Sequence, residues 1–205
     1  MRFLVDCGFS KKVLEKKLGC IGRSVKDIEM VFVTHRHGDH LAPWVEKELR
    51  VSFSGDCGKE VTVESFELSH DELCCGYTIQ DNDGNKIAIF TDTGCVSEEA
   101  MSHLFDCQAI LIECGYEIDM LVSGKYDTDL QERIASDVGH LMNEDAAAVV
   151  KMAMWAGLKF IVALHLSASN NNPDLVKFCL ESVNESGAEV VIAQQNSVGS
   201  MMVVI

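Results

Sequence analysis

An apolar run, Met30-Val31-Phe32-Val33, leads straight into Thr34-His35-Arg36-His37-Gly38-Asp39-His40, and this junction constrains the chain more than any other feature. Four metal-ligating side chains, His35, His37, Asp39 and His40, fall within six residues after a strand-like segment. One loop at the strand's end can therefore turn all of them toward a common point. Imidazole and carboxylate together suit zinc, manganese or iron, and a His/Asp set without cysteine leaves a coordination position for water, as a catalytic site requires.

The same grammar recurs down the chain. His70 follows the run to Leu68, Asp92 follows Ile87-Ala88-Ile89-Phe90, Glu113 follows Ile110-Leu111-Ile112, and His165 follows Ile161 to Leu164. Buried strands that end in ligand-type residues build a site at one edge of a sheet. His140, in a Gly139-His140 loop before a helix, belongs with them, whereas His103 lies in a polar helix and reads as a surface residue.

Around these points the periodicity predicts strands at 3–5, 30–34, 51–53, 61–68, 75–80, 86–91, 109–112, 160–164, 190–193 and 201–205. Helices are expected over 10–18, 43–49, 97–104, 143–156 and after Pro173, with Asp81-Asn82-Asp83-Gly84 as a turn. A strand-rich first half and a mixed second half imply two sheets with helices packed outside, an α/β sandwich, and neither G-x-G-x-x-G nor a P-loop string is present. With no repeat, no linker and only Pro43 and Pro173, residues 1–205 read as a single domain.

Composition narrows the function. No apolar stretch approaches the roughly 18 residues of a spanning helix, and the first residues reach Asp6 before any signal-type region develops, so a soluble, cytoplasmic protein without a membrane partner is expected. Nine cysteines, an odd count with no C-x-x-C pair, read as reduced and mostly buried thiols. The net charge of −15 argues against coating nucleic acid by bulk electrostatics, and two divalent cations bring it only to −15 + 4 = −11. A local cation cluster still attracts a single phosphate. The Lys11-Lys12/Lys16-Lys17 run reads as the solvated face of a helix.

H-x-H-x-D-H, then His70, then Asp92 in Thr-Asp-Thr-Gly, then His165 resembles the metallo-β-lactamase superfamily, whose fold is a four-layer αβ/βα sandwich. The resemblance implies His35, His37 and His70 on one metal, Asp39, His40 and His165 on a second, and Asp92 bridging them. The segments at 91–98, 119–126, 130–143 and 165–173 further resemble the YycJ/WalJ branch, associated with exonuclease activity on double-stranded DNA. That branch is similar to ribonuclease Z, which makes His140 the expected catalytic histidine and Glu113 its orienting carboxylate. Set against the branch, the chain reads as N-terminally shortened, lacking a Ser/Gly-rich turn. It has Glu113-Cys114-Gly115-Tyr116-Glu117 where the branch has a histidine, and its segment between His40 and His70 is short. An open cleft or a partner-completed site is expected from these departures.

The expected activity is hydrolysis of a phosphodiester by a hydroxide bridging two divalent metal ions, zinc or manganese with iron possible, with nucleic acid as substrate and DNA favoured over RNA. In that expectation Asp39 and Asp92 position the hydroxide, while Ser167, Asn170 and Asn171 offer hydrogen bonds to phosphate oxygens or else form a turn and cap before Pro173. One alternative is a hydrolase of a small ester, lactone or thioester, and another is a metal-holding protein that binds a partner without catalysis. Oligomeric state leaves no mark on the sequence.

Overall fold

The computed structural model describes residues 1–55, 60–195 and 197–204; Cys57 and Ile205 lie outside them. Strands β1 (Phe3–Val5), β2 (Met30–Phe32) and β3 (Val51–Ser52) form a parallel sheet in the order β1-β2-β3. A second, six-stranded sheet contains β4 (Val61–Leu68), β5 (Cys74–Asp81), β6 (Lys86–Phe90), β7 (Ala109–Glu113), β8 (Phe160–Leu164) and β9 (Glu189–Ile192) in chain order. Its β4-β5-β6 part is antiparallel and its β6-β7-β8-β9 part parallel.

Period-two alternation decides the layering. In β2, Val31 joins one apolar cluster with Leu14, Leu18 and Val45, while Met30 and Phe32 join another with Val63, Tyr77, Ile79 and Ile89. In β7, Leu111 packs toward that second cluster, whereas Ile110 and Ile112 pack into a third with Ala146, Val150, Val176 and Leu180. The three clusters correspond to the three interfaces of a four-layer sandwich. Helices α1 (Lys11–Cys20) and α2 (Val45–Glu48) supply the first, and α3 (Glu98–Ser102), α6 (Asn143–Met152) and α7 (Pro173–Val183) supply the third.

Two short helices, α4 (Ile118–Val122) and α5 (Thr128–Ile134), were not expected from periodicity. Asp127 caps α5 by accepting from Leu130 N, but the helix has no fully buried residue, and its half-buried Leu130 and Ile134 make too short a stripe to read. The expected strand at 201–205 is absent over 201–204, an exposed stretch without ladder partners. His103 is half-buried rather than a surface residue, its ring stacked on Phe66 at 4.3 Å. No helix among the described residues is long and apolar enough to cross a membrane.

The sandwich also fixes where β2 ends. Tyr77, fully buried in β5, donates its hydroxyl to Val33 O at 2.7 Å, and Cys75 N donates to Thr34 O at 3.0 Å. These bonds tie the two sheets together two residues and one residue before His35.

Candidate metal centre

β2 delivers Thr34 and His35 to the sheet edge, and a helical turn follows, with His40 N and Leu41 N both donating to His37 O. The continuation of β1 clamps this turn: Cys7 N donates to His40 O at 2.6 Å and Ala42 N to Cys7 O at 2.9 Å. Gly8 is required at this approach, because a Cβ there would lie 1.8 Å from Asp39 O. His70 enters from the end of β4, Asp92 from β6, Glu113 from β7 and His165 from β8, all at the same edge.

Asp92 is the hub. Its Oδ2 lies 3.1 Å from His40 Nε2, 3.5 Å from His35 Nε2 and 3.9 Å from His70 Nε2, and its Oδ1 lies 2.8 Å from His165 Nδ1. Three groups of potential ligands share it: His35, His37, His70 and Asp92; His40, Asp92 and His165; and Asp92, Glu113 and His140. Within each group one ligand atom per residue lies within 4.8 Å of the others.

The surrounding hydrogen bonds orient the imidazoles. His40 Nδ1 is 2.7 Å from Asp6 Oδ2, His70 Nδ1 is 3.0 Å from Gly139 O, and His35 Nδ1 is 3.0 Å from Thr34 Oγ1, whose own proton goes to Asp6 Oδ2 at 2.8 Å. With hydrogens assigned from these bonds, each ring turns an Nε2 lone pair toward Asp92. His40 Nε2 and Asp92 Oδ1 are buried atoms with no hydrogen-bond partner of their own, and His35 Nε2 faces His37 Nδ1 at 3.0 Å. Converging lone pairs and orphaned buried polar atoms are what a cation satisfies, so the donor set fits divalent metal.

Electrostatics agree. Burial lowers His35 to about 4, keeping it a neutral ligand. Burial also opposes a charge on His40, but Asp6 and Asp92 outweigh it and raise that ring to about 10. Burial resists the Asp92 charge too, yet His165 and His40 hold its carboxyl far below the usual range. Carboxylates that draw a proton onto these rings draw a cation as readily.

Asp6 and His165 each follow directly on a strand and adopt left-handed backbone, with φ of 58° and 55°. Such conformations are uncommon outside glycine and here turn both side chains sharply into the site. Sequence reasoning passed over Asp6, although it resembles the others in being an acid at the end of a strand, here a half-buried one, beside Thr34 at the end of the next. It also passed over Asp71, whose Oδ1 lies 3.2 Å from His70 Nε2 and 3.5 Å from His37 Nε2 and which pairs with Arg133.

Glu113 is fully buried and accepts from Thr93 N at 2.9 Å, Leu141 N at 3.3 Å and His140 Nδ1 at 2.7 Å. The Glu113 bond raises His140 above its ordinary value and so favours the protonated ring. The glycine before it has no room for a side chain, since a Cβ would meet Arg133 O and Ile134 O at 2.3 Å. Tyr116, where the resemblance expected a histidine, is buried and paired with Met142 through backbone.

Other expected residues fall elsewhere. Asp39 is exposed on the rim of the cleft, its Oδ2 3.7 Å from His40 Nε2. Asn170 and Asn171 are buried and do not line the cleft. Asn171 Nδ2 donates to Cys114 O at 2.7 Å and to Asn143 Oδ1 at 2.9 Å, so both amide protons are taken. Ser167 Oγ accepts from Ser169 N at 3.3 Å and Asn170 N at 3.1 Å, and Asn172 caps α7 through Asp174 N. The run after His165 is thus a turn and a cap. A cleft of about 310 Å³ opens over the cluster, lined by His37, Asp39, His70, Asp92 and His140 on one side.

No protein-family model matches the sequence. Among curated proteins, the chain is 29% identical over 214 residues to exodeoxyribonuclease YycJ of Bacillus anthracis, spanning 90% of this chain and 81% of that protein. It is 30% identical over 206 residues to exodeoxyribonuclease WalJ of Streptococcus pneumoniae, spanning 85% and 77%. Among solved structures, the metallo-β-lactamase fold protein YhfI of Bacillus subtilis superposes with a TM-score of 0.68 at 18% identity, covering 93% of this chain and 84% of that one. The short form of human tRNase Z superposes at 0.63 and 17% identity, covering 98% and 88%.

Proposed function

Because the chain belongs to the YycJ/WalJ family of metallo-β-lactamase-fold, metal-dependent hydrolases, we propose that it is a two-metal phosphodiesterase acting on DNA as an exonuclease. His35, His37 and His70 would hold one divalent cation and His40 and His165, with Asp39 nearby, the other, Asp92 being shared by both sets of donors. Zinc, manganese or iron suits these donors. When bound, such a pair of cations supplies the nucleophilic water at neutral pH and offsets charge on the phosphate.

The protein's own residues do the rest. Asp6 and Thr34 keep His35 and His40 in the ligating tautomer, and Gly139 O does so for His70. His140, held by Glu113, donates its Nε2 proton to the phosphate or the leaving oxygen, and the Glu113 carboxyl on Nδ1 orients the ring for that transfer. The observation that carries this reading is the Glu113–His140 pair set against Asp92. A water-activating centre alone gives the leaving group no help, whereas a positioned imidazole acid can protonate the departing alkoxide of a phosphodiester.

End-labelled single- and double-stranded DNA and RNA, assayed under manganese and zinc beside a lactone, test it. Progressive shortening of DNA is expected. A second reading, a small-ester or lactone hydrolase, is favoured by the apolar side chains Leu130, Ile134 and Val138 in a cleft of modest size. Lactone cleavage without phosphodiester cleavage overturns the first reading in favour of the second.

A further inference from the structure

The far wall of the cleft comes from α5 and the loops around it, and neither the metal ligands nor the Glu113–His140 pair uses it. Arg133 is the only lysine or arginine among the residues lining the cleft, in a chain of net charge −15 whose cleft also holds Asp39, Asp71 and Asp92. Its side chain is 66% exposed yet already oriented, because Nη2 donates to Asp71, which itself leans on His70 and His37. The planar guanidinium carries further N–H donors on its other edge, in a fork that matches two oxygens of one phosphate.

Tyr126 lines the same wall, half-buried, with Leu130 and Val138 beside it in the cleft. The Tyr126 carbonyl accepts from Gln131 Nε2 at 3.0 Å, so the loop bearing the ring is tied to α5. A cation and an aromatic ring lining one wall of the cleft that holds the ligand cluster have the chemistry of a nucleotide-binding surface.

We propose that this wall is the subsite for the nucleotide next to the scissile bond, with Arg133 on nonbridging phosphate oxygens and Tyr126 packed on the base. The proposal rests on the phosphodiesterase reading above. It implies tolerance of base identity, since every base offers a π-face.

Calorimetric titration of the metal-loaded protein with thymidine 5′-monophosphate and with inorganic phosphate, alongside metal analysis, tests it. Arg133→Gln weakens thymidine monophosphate roughly tenfold or more at unchanged metal content, and Arg133→Lys recovers part of the loss because it keeps the charge but not the fork. Tyr126→Ala weakens thymidine monophosphate about fivefold or more and leaves inorganic phosphate unchanged. Wild-type affinity in Arg133→Gln overturns the subsite. So does loss of metal from that variant, which makes Arg133 a positioning partner of Asp71. If the wild type cleaves DNA while both variants bind the nucleotide normally, the subsite alone falls; a metal-loaded wild type that binds neither probe and cleaves only lactone removes the nuclease reading and the subsite together.

Discussion

Asp6–His40 and Glu113–His140 are built from the same parts at the same separation, a carboxylate oxygen 2.7 Å from a histidine Nδ1. Their surroundings separate them. His40 is 1% exposed, and its Nε2 is trapped 3.1 Å from Asp92 with no hydrogen-bond partner. His140 is 37% exposed and lines the cleft, where its far side can meet a substrate. A carboxylate behind an imidazole therefore does not by itself make a general acid. What the ring's other nitrogen faces decides whether the pair makes a ligand or a proton donor.

The comparison is most exposed to His140→Ala. Turnover is expected to fall on the order of 10²- to 10⁴-fold, with metal content unchanged by elemental analysis; loss of metal from this variant would sink the distinction between the two pairs. The two carboxylates should then part company. Asp6→Asn is expected to weaken metal binding about 10- to 100-fold while turnover recovers at saturating metal, and Glu113→Gln should keep its metal and lose turnover at every metal concentration.

The pH profile separates them further. The folded value of His140 is raised above 6.5 by Glu113, so the protonated, active form persists at low pH and is lost as pH rises through that raised value. In Glu113→Gln the descending limb should move to lower pH, toward 6.5, whereas in Asp6→Asn it should stay in place. An unmoved limb in Glu113→Gln would mean that another group carries the proton.

Smaller effects fall on stability. Metal at about 100 times its Kd should stabilise the fold by about 2.7 kcal/mol, a rise of roughly 5 to 10 °C for a chain of this size, read by thermal melts before and after chelation. Asn171→Ala should cost about 1 to 3 kcal/mol by leaving Cys114 O and Asn143 without partners. Its KM should stay at the wild-type value, because its amide faces inward. A raised KM would return Asn171 to the substrate.

Much of this arrangement was legible from residue type and position. Ligand-type residues at the ends of apolar runs marked one sheet edge, and β1, β4 and β8 run over the spans that alternation predicts. The run after His165 left phosphate contact and a turn with a cap both open, since Ser, Asn and Asn suit either. Helix α5, which carries Arg133, was not read because its seven residues offer only the half-buried pair Leu130 and Ile134, too short an apolar stripe to mark a helix.

The sequence by itself determined which residues can bind metal and at which strand ends they stand, because side-chain chemistry and strand period are local properties. Only the tertiary structure decided which groups each histidine meets, and so which roles are open to it. The partners that set those roles are remote in the chain, 34 residues apart for Asp6 and His40 and 27 for Glu113 and His140, and no local pattern encodes such a meeting. Burial, the other half of the decision, exists only once both sheets have closed over Asp92.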